Sequence, residues 1–136
     1  MISTFNSTTQ TVEVDGAYVF DTNRVATGCT VGHTPGTSTF TLNKPGYYYV
    51  TFNTTFTTAT TGVATVELRN GGTAVSGAIG AETVTTAGDT KSISFATIVR
   101  VLPSCPAIDN TATLTFVATT LELDATVASV SITKLC

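Results

Sequence analysis

Apolar and polar residues alternate with a period of two along most of this chain, the spacing of a strand with one buried face. Residues 62–69 set Ala64, Val66 and Leu68 against Thr65, Glu67 and Arg69. Residues 91–102 put Ile93, Phe95, Val99 and Val101 on one face, and residues 111–119 do the same with Ala112, Leu114, Phe116 and Ala118. Residues 126–135 alternate Ala128, Val130 and Ile132 with polar positions. Shorter strands are predicted over 11–15, 17–20 (with Tyr18 and Phe20) and 38–42, and weaker ones over 73–79 and 82–86. Asn70-Gly71-Gly72 supplies the positive backbone angles of a tight hairpin. Residues 21–37, rich in Gly, Thr and Asn, read as a long irregular connection. No stretch has helical spacing and length, so the expected class is all-β, about eight to ten strands in a sandwich or barrel.

One strand departs from the one-sided pattern. After Asn43-Lys44-Pro45-Gly46, the run Tyr47-Tyr48-Tyr49-Val50-Thr51-Phe52 places Tyr48, Val50 and Phe52 on one face, with Phe56 further along. Tyr47, Tyr49 and Thr51 then fall on the other. Large aromatics on both faces imply cover on both sides. The face with Tyr48, Val50 and Phe52 belongs to the core, together with Phe95 and Phe116. Tyr47, Tyr49 and Thr51 are expected at a contact between subunits, where an aromatic buries large apolar area at low entropic cost. The competing reading covers them with the connection at 21–37.

Composition narrows the function. The chain has 136 residues, enough for one domain, with six Lys and Arg against nine Asp and Glu and a formal net charge of −3. Arg24, Lys44, Arg69, Lys91, Arg100 and Lys134 are scattered singly, which argues against nucleic-acid binding. No apolar run has the length of a membrane-spanning helix, and the first residues do not read as a secretory signal. Export without a leader, for example by lysis, or trimming from a longer chain is therefore expected. Threonine makes up roughly a quarter of the chain and supplies the polar member of its alternating strands. A surface rich in hydroxyls and poor in charge is cheaply desolvated against copies of itself.

Candidate chemistry is sparse. His33 is the single histidine, set in a Gly-Thr-Pro context, and reads as an exposed loop residue rather than a catalytic base. No nucleophile elbow and no phosphate-cradling glycine loop is present, so no enzymatic activity is expected. Cys29 and His33 are four apart, with Cys105 or Cys136 as distant partners, a poor match to the paired spacings of a structural zinc site. Glu122, Asp124 and Asp109 are oxygen ligands of the calcium kind, but read more simply as an acidic strand edge. No metal or other cofactor is expected. Three cysteines allow one disulfide with one left over or three free thiols. Cys29 and Cys105 are expected as buried or unpaired small residues and Cys136 as an unpaired terminal thiol. The sequons at Asn6 and Asn53 arise readily by chance in so threonine-rich a chain.

The segment from Phe40 to Phe52, in which a strand ends in Pro45-Gly46 and the next begins with Tyr48 and Val50 two apart, resembles the tumour-necrosis-factor-like jelly-roll superfamily. It is similar in particular to the globular heads of the first complement component and to the C-terminal head of the collagen-like glycoprotein on Bacillus spores. Asn70-Gly71 matches the hairpin of the spore-type heads, and residues 127–135 match their last strand of small β-branched residues. The resemblance covers about residues 17–135. It implies a two-sheet antiparallel jelly roll assembled as a homotrimer, structural or adhesive and without enzymatic activity. One departure is that no collagen-like Gly-x-y repeat precedes the domain. The expected organisation is therefore a short terminal arm at 1–10, with Ile2 and Phe5 as apolar docking anchors, followed by one jelly-roll domain at 11–136. The expected role is decoration of a particle surface, as a bacteriophage capsid decoration or head-fibre protein on the virion, with a capsid or coat protein as partner. The alternatives are an adhesive head for a glycan or receptor and a spore or cell-surface coat domain outside the cell. The absence of aromatics from 21–37 and 103–110 places the adhesive reading second.

Overall fold

The computed structural model describes residues 1–102 and 112–135. Among them every regular element is a strand: β1 (Ile2–Phe5), β2 (Gln10–Val12), β3 (Thr22–Ala26), β4 (Val31–Gly32), β5 (Phe40–Leu42), β6 (Gly46–Thr57), β7 (Gly62–Asn70), β8 (Thr73–Val84), β9 (Lys91–Val101), β10 (Ala112–Ala118) and β11 (Leu123–Lys134). They form two antiparallel sheets. The first runs β3-β1-β11-β6-β9 with β2 also on β11, and the second runs β4-β5-β10-β7-β8. Apart from the consecutive pairs β4-β5 and β7-β8, neighbouring strands are non-consecutive, the connectivity of a jelly-roll sandwich.

Alternation does the local work. In β6 every second residue from Tyr48 to Phe56 is buried, including Val50, Phe52 and Thr54. Burying such a face excludes a one-residue slip, which would turn all of it to solvent. The two sheets meet in an aromatic core. Phe52 and Phe116 stack at 4.8 Å, Tyr18 packs edge-on to Phe52 at 5.3 Å, and Phe95 lies 5.2 Å from Phe52. Tyr48, Val50, Phe52 and Phe116 are buried, while Phe95 is half-buried at the margin. Gly71 and Gly72 take φ of 60° and 87° between β7 and β8, the left-handed pair that a two-residue hairpin needs.

The structure corrects several expectations. Residues 1–10 are not a free arm. β1 lies between β3 and β11, with Ile2 opposite both Ile132 and Ala26. Ile2 is buried in the core, so it anchors the sheet rather than a partner. Ile2-Ser3-Thr4-Phe5 shows no apolar-polar alternation, since the second buried position is Thr4, and only pairing to β11 reveals it as a strand. Residues 21–37 are not irregular throughout, since they hold β3 and β4. The weak strands at 73–79 and 82–86 are one continuous β8. Cys29 is free and exposed, the unpaired case rather than the buried one. Cys105, Cys136 and Asp109 lie outside the described residues.

Candidate functional site

The outward face of the first sheet is the most distinctive surface. Pairing of β6 with β9 and β11 sets Tyr47 beside Arg100, and Tyr49 between Ile98 and Thr133. Thr51 lies between Ala96 and Ser131, and Asn53 between Ser94 and Ser129. The Leu135 amide donates to the Tyr47 carbonyl at 2.7 Å, bringing Leu135 to the same end of the sheet. Tyr47 and Tyr49 are 41% and 42% exposed, and Ile98, Leu102 and Leu135 exceed half. This face thus grades from an aromatic and aliphatic end at Tyr47 to a hydroxyl-rich end near Thr55 and Ser92.

Two cations lie over the rings of this face. The Arg100 guanidinium is 5.4 Å from the Tyr47 ring centroid, and that of Arg24 is 4.8 Å from Phe5. Such stacking holds a ring in one orientation and covers part of it with an amphipathic arm. Phe5, expected as a docking anchor, is instead a half-buried member of the sheet face. Beneath Tyr47 and Tyr49, the buried Tyr48 donates its hydroxyl to the Lys44 carbonyl at 2.6 Å and pins the turn that precedes the strand. Desolvation raises the pKa of that phenol.

The connection at 21–37 does not cover Tyr47 and Tyr49. β3 stands at the far edge of the sheet, with β1 and β11 between it and β6, and β4 belongs to the other sheet. Ile98, Leu102 and Leu135 escaped the sequence reading, which followed the inward positions of β9 and β11. The signal was the alternate set on β9, Ile98-x-Arg100-x-Leu102, in register with the tyrosines.

His33 is not an exposed loop residue. Its ring stacks on Phe40 at 4.5 Å, and it lies half-buried beside β4. Nδ1 sits 2.7 Å from Asn23 Oδ1 and Nε2 sits 3.0 Å from the Thr37 carbonyl, while the Asn23 amide donates to the His33 carbonyl at 2.9 Å. Desolvation lowers its pKa, opposed by the Thr37 carbonyl. Among the described residues no hydroxyl nucleophile or carboxylate is bonded to it, and the ring works as a clip that joins β3 to the 33–37 turn. The open groove beside it, about 500 Å³, is lined by Gly32, His33, Thr37, Thr39, Thr41 and Asn43.

The remaining candidates are structural. Among the described residues no group of three or more His, Cys, Asp or Glu is arranged to hold a metal ion. The Asp124 carboxylate accepts from the Thr11 hydroxyl at 3.0 Å and ties β2 to β11. Asn6 is buried and its amide donates to the Thr8 carbonyl, whereas Asn53 lies on the outward face.

No protein-family model matches the sequence, and no curated protein matches it. Solved structures do. Eiger TNF from S. frugiperda superposes with a TM-score of 0.72 at 13% identity, covering 100% of this chain and 92% of that one. Murine APRIL gives 0.59 at 9% identity, over 98% and 97% of the two chains. PRD1 vertex protein P5 gives 0.58 at 14% identity, over 99% and 96%. The fold is therefore a TNF-like jelly roll, complete from β1 to β11.

Proposed function

We propose that this chain is a non-enzymatic head that assembles as a homotrimer through the outward face of its first sheet and decorates a particle surface. The observation that carries the proposal is the cluster of Tyr47, Tyr49 and Ile98, flanked by Leu102 and Leu135, on a strand pair whose opposite face is already the core. Contiguous apolar surface of this kind on a small domain marks an interaction site. Thr51 and the hydroxyls beyond it let the rest of the face pack closely at little desolvation cost. The number three comes from the superfamily resemblance, in which inner-sheet residues pack about the threefold axis.

A virion is the particle favoured here, with this chain as a capsid decoration or head-fibre protein. Support comes from the likeness to a protein named for a PRD1 vertex, as a likeness of fold. A spore or cell-surface head would share the interface, and genomic neighbours separate the two. Light scattering coupled to size exclusion, with and without reductant, tests the assembly. The expected mass is three chains at every concentration, indifferent to reductant. A monomer overturns the proposal.

A further inference from the structure

The groove beside His33 opens on the outward side of the second sheet. Phe40 and Leu42 of β5 are buried, so Thr41 between them faces out, and Thr39 shares its side of the chain. Thr41 stands between Gly32 of β4 and Thr113 of β10, and Thr115 follows on the same face of β10. His33, Thr34 and Thr37 complete the lining of this part from the 33–37 turn.

This wall is fixed before any ligand arrives. The Thr37 amide and hydroxyl both donate to the Thr34 carbonyl, at 3.1 and 2.7 Å. The His33 ring meets Asn23 at Nδ1 and the Thr37 carbonyl at Nε2, and it stacks on Phe40. A site whose walls need no ordering loses little entropy on binding. The floor is open because residue 32 is glycine. Gly32 takes no left-handed φ, so its backbone does not demand a glycine. A Cβ there would meet Asn43 Nδ2 at 3.7 Å and the Thr41 carbonyl oxygen at 4.0 Å, which is ordinary contact. What this glycine supplies is space, often the mark of a strand that a ligand approaches closely.

The lining selects the chemistry. Among the described residues it holds no Lys, Arg, Asp or Glu, and so no countercharge for a phosphate, carboxylate or ammonium group. It holds no aliphatic, Phe or Tyr side chain either, and so no socket for the apolar residue of a peptide. Among the described residues the Thr39 and Thr41 hydroxyls make no hydrogen bond, while those around them are used. Each threonine sets a hydroxyl that donates once and accepts twice beside a methyl group. An uncharged sugar offers the matching pair, hydroxyls carried on a ring of C–H groups. At about 500 Å³ the groove falls within the roughly 300–1,000 Å³ of small-molecule sites.

We propose that this groove binds an uncharged saccharide, with the Thr39 and Thr41 hydroxyls as its hydrogen-bonding floor and the clamped His33 ring as its wall. The head then recognises a glycan as well as assembling. The site does not depend on subunit number. Groove and tyrosine face belong to opposite sheets, so a trimer built on the first sheet leaves the groove open.

Titration of the whole chain with glucose, galactose, mannose and N-acetylglucosamine at constant pH, followed by NMR, tests the site. The single histidine gives one imidazole signal, and it lies in the groove. At least one sugar should shift that signal and the Thr39 and Thr41 methyl signals in a saturable way. Thr39→Val with Thr41→Val keeps shape and β preference, removes both hydroxyls, and should weaken binding at least about tenfold. Gly32→Val fills the floor and should abolish it. Thr83→Val, on β8 at the far edge of the same sheet, should change nothing. Immobilised dextran and mannan carry the test to polymers by surface plasmon resonance, with dextran sulfate, poly-L-lysine and gelatin as comparators. Preference for a charged polymer overturns the uncharged assignment, and preference for gelatin overturns the saccharide in favour of an extended peptide. Silence across the panel, or shifts that persist in the Thr39 and Thr41 variant, overturns the site. Light scattering on the same samples reads assembly separately. A trimer that binds no sugar overturns the groove alone, and a monomer that binds through Thr39 and Thr41 overturns the trimer alone.

Discussion

Replacing Tyr47 and Tyr49 together by threonine removes the aromatic end of the proposed interface without touching the core. Threonine keeps the β preference of the strand and matches Thr51 two residues on. The rings are 41% and 42% exposed in the protomer, which leaves roughly 60–100 Å² of each to bury, given the usual 150–250 Å² for an aromatic side chain. At about 25 cal/mol per Å² this is about 1.5–2.5 kcal/mol per ring. Six rings meet in a trimer, so the double substitution costs assembly about 9–15 kcal/mol, where each 1.4 kcal/mol is tenfold in an equilibrium constant. Micromolar samples should therefore run as folded monomers in light scattering. Their unfolding should become independent of protein concentration, whereas that of the parent chain should rise with it. Tyr47→Phe with Tyr49→Phe keeps the area and should remain trimeric. A Thr/Thr variant that stays trimeric at micromolar concentration refutes the assignment of this face.

Three further predictions concern the fold that presents the face. Among the described residues the buried Tyr18 hydroxyl has no hydrogen-bond partner, and burial pushes its pKa up to about 12. Because the folded value lies above the unfolded value near 10, its stabilising share is present below pH 10 and is lost as pH rises through 12, about 3 kcal/mol in all. Urea titrations across that range should show Tyr18→Phe losing less than the parent and matching or exceeding it at neutral pH. Destabilisation of that variant at neutral pH would show that the hydroxyl is satisfied. A Cβ at Gly80 would overlap the Ile93 methyl Cγ2 where β8 meets β9. Gly80→Ala should therefore cost about 1–3 kcal/mol in chemical denaturation, much of it recovered with Ile93→Ala. Equal costs in both backgrounds would refute the contact. His33 has a lowered pKa, so the unfolded chain takes up the proton first and stability falls as pH drops below about 6.5. With one histidine in the chain, its imidazole resonance titrates without ambiguity, and a midpoint above 6.5 in the folded state would refute the desolvated clip.

Alternation made the sandwich legible because burial on one face leaves a period of two wherever a strand is long enough to repeat it. β6, β7, β9 and β10 show it over several residues, and their inward sets include Tyr48, Val50, Phe52, Ala64, Val66, Leu68, Ile93, Val99, Leu114 and Phe116. The hairpin at Gly71-Gly72 was legible for a different reason, since two positive φ angles in succession demand residues without strain there. β1, β3 and β4 are too short for periodicity, and only their partners define them. A buried Ile2 therefore looked like the anchor of a free arm. His33 looked exposed because its Phe40 and Asn23 partners are distant enough in the chain to leave no local mark.

For the candidate site, the sequence by itself determined that one strand carries tyrosines on the face opposite its core residues. It did not determine what accompanies them. Ile98, Leu102 and Leu135 join Tyr47 and Tyr49 through antiparallel pairing of segments some fifty to ninety residues away along the chain, and that register belongs to the sheet as a whole. The same holds for charge. Lys44, Arg100 and Lys134 are isolated along the chain and become one end of the molecule only because β6, β9 and β11 lie side by side. A linear sequence records which side chains exist and which face of a strand each takes. Proximity across strands is set by the topology that closes the core.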